Sequence, residues 1–298
     1  MIQDMQNGRP ASWQEITLAQ RQVCEAPTAD NAKEYCLLVE STKLAPPFHI
    51  RPILKQLDSI RKRMGKPSSH IKILDHGCGG GSTIMYLAAS GYTEVFGVDL
   101  GGDLDKIDCA VRAISASNEP RVGIYDGYKL PFANKSVDLI FSQQVLEHVK
   151  DQFIEFYIDE EARIISDSGI VYHQIPHRWT PWESHTKTWF IHYLPRFIRR
   201  PIYKFFGHDP DYLEKILHLR SPWFFYRMFR RAFSNYRNET LDRIALQPDP
   251  SYYDGNVRRF KTRVIRLNYL RLADVPTRCN QCPNHHHQKA EDMVVVQL

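Results

Sequence analysis

Two groups of side chains in this chain have the types and spacing to do chemistry. The first surrounds a glycine turn, Asp75-His-Gly77-Cys78-Gly79-Gly80-Gly81-Ser82, with a second acid, Asp99, closing the run Glu94-Val-Phe-Gly-Val-Asp99. A dinucleotide-binding turn places its third glycine three residues after the second, where a helix N-terminus receives a pyrophosphate. Here the glycines alternate at Gly77, Gly79 and Gly81, and Asp75 precedes the first by two positions. A carboxylate so placed adds nothing to anion binding and suits a cationic ligand. The second group lies in His173-Gln-Ile-Pro-His177-Arg-Trp179-Thr-Pro-Trp182-Glu183-Ser-His185. A histidine removes a hydroxyl proton near neutral pH, and a neighbouring carboxylate holds its tautomer. His177, Glu183 and His185 are therefore candidate bases, with His148 a further one, and Trp179 and Trp182 are candidate walls for a sugar or aromatic substrate. A structural loop whose histidines bond backbone groups is the alternative.

Both groups need a scaffold, and the surrounding pattern supplies one. Ile71-Lys-Ile-Leu-Asp75 reads as a buried strand, followed by the turn and a helix start. A strand, a glycine turn and a second strand tipped by an acid form the nucleotide-binding half of a doubly wound α/β sheet. Alternation of apolar runs predicts strands near 71–75, 94–98, 121–125, 137–142 and 169–175, with helices near 81–90, 104–116 and 148–165. In such a sheet the ligand lies beyond the C-terminal strand edges. Asp75, Asp99, Asp126 and Ser142 all fall there, and the 173–185 segment begins at the same edge. Upstream, residues 1–69 read as a helical N-terminal cap. One helix would be capped by Asp30, and a second is marked by Ile50, Ile53, Leu54, Leu57 and Ile60 at helical spacing.

Three further stretches follow the turn in order: Asp126-Gly127-Tyr-Lys-Leu130-Pro131-Phe132, then Asn134-Lys-Ser-Val-Asp138-Leu-Ile-Phe-Ser142, then Gln143-Gln-Val-Leu-Glu147-His148-Val149. Together with the turn they resemble the class I S-adenosylmethionine-dependent methyltransferases of the type 11 family, across roughly residues 70–176. The resemblance implies S-adenosyl-L-methionine as cofactor and a seven-stranded, mostly parallel Rossmann-like sheet. It implies that the backbone at Gly77, Cys78, Gly79 and Gly81 approaches the methionine and ribose portions, and that Asp75 faces the ammonium group. It further implies that Asp99, followed by Leu100, accepts the ribose hydroxyls. Asp126 would bond the adenine amino group beside Gly127, and Ser142 and Gln143 would flank the methionine portion. Glu147 and His148 match a polar pair of the family. The family order after the fifth strand is a helix and an antiparallel hairpin, matched by a helix at 222–233, a strand at 236–246 and the terminal 293–298. Thr262–Tyr269 is the competing last strand. On this reading residues 70–176 are the cofactor-binding core, and 177–298 hold substrate-side insertions and the strands completing the sheet.

The rest of the chain bounds the acceptor without naming it. Its 298 residues carry a net charge of +5, with 43% hydrophobic and 24% charged residues, an ordinary composition for a folded protein. The balance is uneven: residues 186–275 hold 18 Lys and Arg against 8 Asp and Glu, interleaved with aromatics such as Trp223-Phe-Phe-Tyr-Arg. That region suits a lid over an acceptor, a face against anionic membrane, or a nucleic-acid surface; bulky Trp and Phe beside paired arginines favour the first two. No apolar run reaches a membrane span and the N-terminus lacks a signal pattern, so the expected compartment is the cytoplasm. Six cysteines in this length make no disulfide framework. Cys279, Cys282 and His285–His287 have zinc-like spacing, yet without a second bracketing pair a polar loop is the preferred reading, and no metal is expected.

Amino-group methyltransferases of nucleic-acid bases and glutamine tend to carry N/D-P-P-Y/F where this chain has Ser142-Gln-Gln-Val, so that class is disfavoured. Pro176-x-Arg178 followed by Glu183-x-His185 resembles a variant in type 11 relatives associated with surface-glycan clusters. The expected function is O-methylation of a glycan, lipid-linked sugar or other small acceptor. An RNA or protein methyltransferase docking through 186–275, and a non-catalytic cofactor-binding partner subunit, remain alternatives.

Overall fold

The computed structural model describes residues 9–179, 182–183, 185–240 and 293–297. The chain divides into two compact units. One takes the chain up to Ser142 together with Arg163–Val171, the other Gln143–Ala162 and the chain from Tyr172 onward.

The first unit opens with three helices, α1 (Trp13–Glu25), α2 (Ala29–Ser41) and α3 (Arg51–Met64). A reciprocal box starts α1: Ser12 Oγ accepts from Glu15 N, and Glu15 Oε2 accepts from Ser12 N at 2.7 Å. The cap of α2 is Thr28, not Asp30 as the sequence pattern predicted. Thr28 has extended backbone angles and its side chain accepts from Asn31 N, which leaves Asp30 in the first turn, where its charge complements the helix dipole. The amphipathic run expected from His49 folds as α3, buries Ile53, Leu57 and Ile60, and ends at Gly65 in the left-handed region.

The core alternates strand and helix as expected: β1 (Ile73–His76), α4 (Ser82–Ala89), β2 (Val95–Asp99), α5 (Leu104–Ser115), β3 (Val122–Ile124), β4 (Val137–Gln143) and β5 (Ile165–Gln174). These strands lie in the order β3-β2-β1-β4-β5, a five-stranded parallel sheet. Ile73 sits opposite Val95 on one side and Leu139 on the other, and Gly97 opposite Val122. β1 is buried along its whole length, as a central strand covered on both faces must be. Helices α1 and α2 pack against α4 and α5, with Thr42 Oγ1 and Tyr86 Oη 2.8 Å apart in that interface.

The second unit holds most of α6 (Ile154–Ile164), a two-residue-per-strand antiparallel pair β6 (Trp182–Glu183) and β7 (Thr188–Trp189), and the helices α7 (Arg196–Phe205), α8 (Pro210–Ile216) and α9 (Pro222–Ala232). The helix expected from residue 148 begins six residues later. The Arg220 guanidinium donates to the carbonyls of Leu146 and Val149, which holds that stretch in turns instead of a helical ladder. The expected antiparallel hairpin is corrected: β8 (Asn235–Asn238) and β9 (Met293–Gln297) pair parallel, Asn235 opposite Met293 and Asn238 opposite Val296. A parallel pair needs a long connection, which the chain between them supplies. Residues 241–246 of the predicted strand, Thr262–Tyr269 and the Cys279–His287 stretch lie outside the described residues.

Candidate active site

The glycine turn is shaped by close packing on one side and by open space on the other. Gly77, Gly79 and Gly81 all have positive φ, of 94°, 49° and 69°. A Cβ on Gly81 would stand 2.3 Å from Ile107 Cγ2 of α5, so this position needs glycine for packing as well as for backbone angle. At Gly79 and Gly80 a Cβ would meet nothing within 4 Å. Asp99 ties the turn to β2: its Oδ2 accepts from Gly79 N at 2.8 Å and its Oδ1 from Leu100 N at 2.7 Å. Each oxygen keeps a lone pair for another donor. Asp75 is buried, and burial together with the Asp99 charge pushes its carboxyl well above the usual carboxylate range. A cationic group beside it would reverse that cost. Burial also raises the Cys78 thiol, which makes it a small packing residue and not a nucleophile.

The loop after β3 is a second built element. Asp126 Oδ1 accepts from Tyr128 N and Lys129 N, both at 2.8 Å, and these bonds hold its carboxyl below the usual range. Gly127 has a φ of 81°, and a Cβ there would stand 3.2 Å from Leu100 Cδ2, so the loop and the end of β2 meet at this glycine. Leu100 and Tyr128 are exposed apolar side chains beside it. Ser142 is buried at the end of β4, and in the second unit Gln143 Nε2 donates to Gln174 Oε1 at 3.3 Å.

Three of the four candidate bases come together in the second unit. Glu183, on β6, accepts at Oε1 from His185 Nδ1 at 2.7 Å and from His185 N at 2.9 Å. Its Oε2 accepts from Thr186 N and Thr186 Oγ1 at 2.6 and 2.7 Å. Burial alone would raise the Glu183 pKa, but these four bonds bring it down to about 2, and the pairing raises that of His185. The His148 ring meets the His185 ring edge to face at 5.3 Å, and His148 Nδ1 donates to the Ile216 carbonyl at 2.8 Å. Beside them Glu147 is fully buried with neither carboxylate oxygen hydrogen-bonded. Burial, reinforced by Glu183 and opposed by His185, pushes its pKa up to about 7. One ligand atom from each of Glu147, His148 and His185 lies within 4.8 Å of the others.

His177 stands outside that group. It is buried, its Nδ1 accepts from Trp179 N at 3.1 Å, and burial with the neighbouring His192 lowers its pKa to about 4, so it is a weak base. Trp179 is partly exposed, while the Trp182 side chain lies outside the described atoms. His173 is a core residue, 3.0 Å from Glu161 and stacked on Phe229. Sequence reasoning missed two positioning side chains. Gln20 of α1 donates to the Gly80 carbonyl at 3.1 Å, and Arg220 bonds the loop carbonyls on either side of Glu147 and His148. Neither has a local signal, because each acts on residues 60 or more positions away.

A parallel sheet with a glycine turn after its central strand and acids at the ends of β1 and β2 is a nucleotide-binding α/β domain. Residues 74–173 match the family model described as a methyltransferase domain, whose cofactor is S-adenosyl-L-methionine. The chain is 29% identical over 134 residues to the ubiquinone biosynthesis O-methyltransferase of Pelagibacter ubique, covering 42% of this chain and 51% of that protein. It is 30% identical over 120 residues to the enzyme of the same name from Bartonella tribocorum, covering 39% and 46%. The chain thus spans about half the length of the curated relatives it matches. Among solved structures it is similar to an S-adenosylmethionine-dependent methyltransferase from Mesorhizobium loti, at 21% identity and a TM-score of 0.38 over 57% of this chain and 77% of that one.

Proposed function

We propose that this chain is an S-adenosyl-L-methionine-dependent O-methyltransferase acting on a hydroxyl of a glycan, lipid-linked sugar or other small acceptor. The observation that carries the reading is the His185 imidazole, anchored at Nδ1 by a buried Glu183 and clustered with His148 and Glu147. The cofactor supplies a methyl group already activated by its sulfonium. The protein has to hold the partners in line and deal with the acceptor proton. The bound cofactor would supply the methyl group and keep the electron pair of the broken S–CH3 bond on sulfur, and the His185 cluster would receive the proton displaced from the acceptor hydroxyl.

In the first unit, Asp75 offers its buried carboxylate to the ammonium group, and the open face over Gly79 and Gly80 admits the methionine and ribose portions. Asp99 accepts the ribose hydroxyls on its remaining lone pairs, and Leu100, Gly127 and Asp126 frame the adenine. Ser142 flanks the methionine portion. In the second unit, His185 and His148 serve the acceptor, Glu183 positions His185, and His177 supports the loop. The O-methyltransferase names of the curated relatives favour oxygen as the methylated atom. We also read β8 and β9 as the last strands of a seven-stranded sheet, residues 1–69 as a cap and 177–298 as the substrate side.

Much of the basic excess of the second unit serves internal pairing. Arg196, Arg199 and Arg200 all reach Glu214, and Arg200 also reaches Asp211 at 2.7 Å. Phe197 and Phe205 of α7 are 76% and 86% exposed. Paired arginines beside exposed rings support contact with a membrane surface over docking on RNA. No helix among the described residues is long and apolar enough to cross a membrane. The test is methyl transfer from labelled cofactor to fractionated polysaccharide, lipid, RNA and protein pools. Label in the polysaccharide or lipid pool supports the reading, and label confined to RNA or protein overturns it.

A further inference from the structure

We infer that Glu147, His148 and His185 form a binding site for a divalent first-row transition metal, zinc being the probe of choice. This rests on the reading of the same cluster as the place where the acceptor hydroxyl is activated, and it names the means.

Three independent features converge. The first is the ligand set. Two imidazoles and one carboxylate, each offering an atom within 4.8 Å of the others, are the donors that zinc and its neighbours prefer over magnesium or calcium. Ligand atoms around a tetrahedral zinc stand about 3.3 Å apart for bonds of about 2.05 Å. His148 Nε2 is already 3.9 Å from Glu147 Oε1, so side-chain shifts of about 1 Å close the set.

The second feature is the tautomers. His148 Nδ1 is held by the Ile216 carbonyl and His185 Nδ1 by the Glu183 carboxylate. Each bond places the ring proton on Nδ1 and leaves the neutral ring's Nε2 with a free lone pair, that of His148 3.9 Å from Glu147 Oε1. Histidines that bind metals are oriented by such an acceptor behind the ring, and a carboxylate there strengthens the imidazole as a ligand. Glu183 is itself fixed by Thr186 through two bonds, so the support extends one shell further.

The third feature is Glu147. It is 0% exposed, and neither of its oxygens has a hydrogen-bond partner. An uncompensated buried carboxylate is costly, and a metal ion is one of the partners that offset that cost. The backbone that carries it is fixed from outside: Arg220 bonds the Leu146 and Val149 carbonyls, and His218 N donates to the Glu147 carbonyl at 2.6 Å. Three protein ligands leave a position for an acceptor oxygen, whose hydroxyl loses its proton to solvent more readily when bound to the ion.

The test is titration of the chelator-treated full chain with zinc by calorimetry, and with cobalt(II) by visible spectroscopy. The Glu147→Gln, His148→Ala and Glu183→Gln variants are run beside a Cys279→Ser/Cys282→Ser control. Each variant is first checked for cofactor binding, so loss of metal cannot be mistaken for misfolding. The expected result is one metal per chain, a cobalt spectrum without the intense near-ultraviolet bands of thiolate ligation, and retention in the cysteine control. Glu147→Gln and His148→Ala should each lose at least 100-fold in zinc affinity, and Glu183→Gln roughly 10- to 100-fold. Zinc affinity unchanged in Glu147→Gln and His148→Ala, or lost only in the cysteine control, overturns the site. Metal bound as expected with no methyl transfer to any acceptor leaves the site standing and sinks the functional reading beneath it. Transfer that persists undiminished after complete chelation does the reverse.

Discussion

Asp99→Asn separates the cofactor reading from a merely structural turn. In the wild-type chain the two carboxylate oxygens accept from Gly79 N at 2.8 Å and Leu100 N at 2.7 Å. Whichever way the asparagine amide turns, its NH2 faces one of those backbone donors. One hydrogen bond to a charged group is lost, about 1.5–3 kcal/mol, and one acceptor for a ribose hydroxyl goes with it. Affinity for S-adenosyl-L-methionine should therefore fall roughly 10- to 150-fold. Calorimetry measures it, with a paired comparison of adenosine and 2′-deoxyadenosine. Wild-type protein should prefer the ribose form, and the variant should lose most of that preference. Unchanged affinity, or an equal loss for both nucleosides, refutes the assignment of Asp99 to the ribose.

Three further outcomes test separate parts of the account. Gly81→Ala, with φ at 69° and a 2.3 Å approach to Ile107, should destabilise by about 1–3 kcal/mol from overpacking. Gly80→Ala meets nothing and should keep its melting temperature while weakening cofactor binding, so thermal shift and calorimetry together distinguish packing from the open face. In chelated protein, Glu147→Gln should change how stability depends on pH. The Glu147 carboxyl moves from 4.5 unfolded to about 7 folded, so the folded state retains its proton as pH rises through that window and wild type loses stability there. The loss is about 3 kcal/mol above pH 7 and absent below pH 4.5, with His185 and Glu183 the charged groups facing it. Urea melts at both ends of the window should show the variant more stable only at the high end. Arg220→Leu should cost about 1–3 kcal/mol for each loop carbonyl left unpaired, read from the same melts.

The parallel sheet was legible because its strands are short apolar runs ending in acids or polar groups at one edge, a pattern local to each strand. The turn was legible for the same reason: Gly81 packs against Ile107, but its glycine can be read in place. The pairing of Glu183 with His185 could be anticipated from their spacing of two. What joins them to Glu147 and His148 could not, because it depends on Arg220 and Ile216, roughly seventy residues from the loop they hold. The direction of β9 was misjudged because a terminal valine run fits a sheet in either direction. Its pairing with β8 is parallel, Asn235 opposite Met293 and Asn238 opposite Val296.

The most direct test of the central claim supplies the chain with S-adenosyl-L-methionine carrying a 13C methyl group, together with the acceptor pool that takes up label. The product methyl is then read by its carbon chemical shift. The account predicts a methoxy resonance appearing in step with the demethylated cofactor. An N-methyl or S-methyl resonance, or cofactor that binds without ever losing its methyl group, would contradict it.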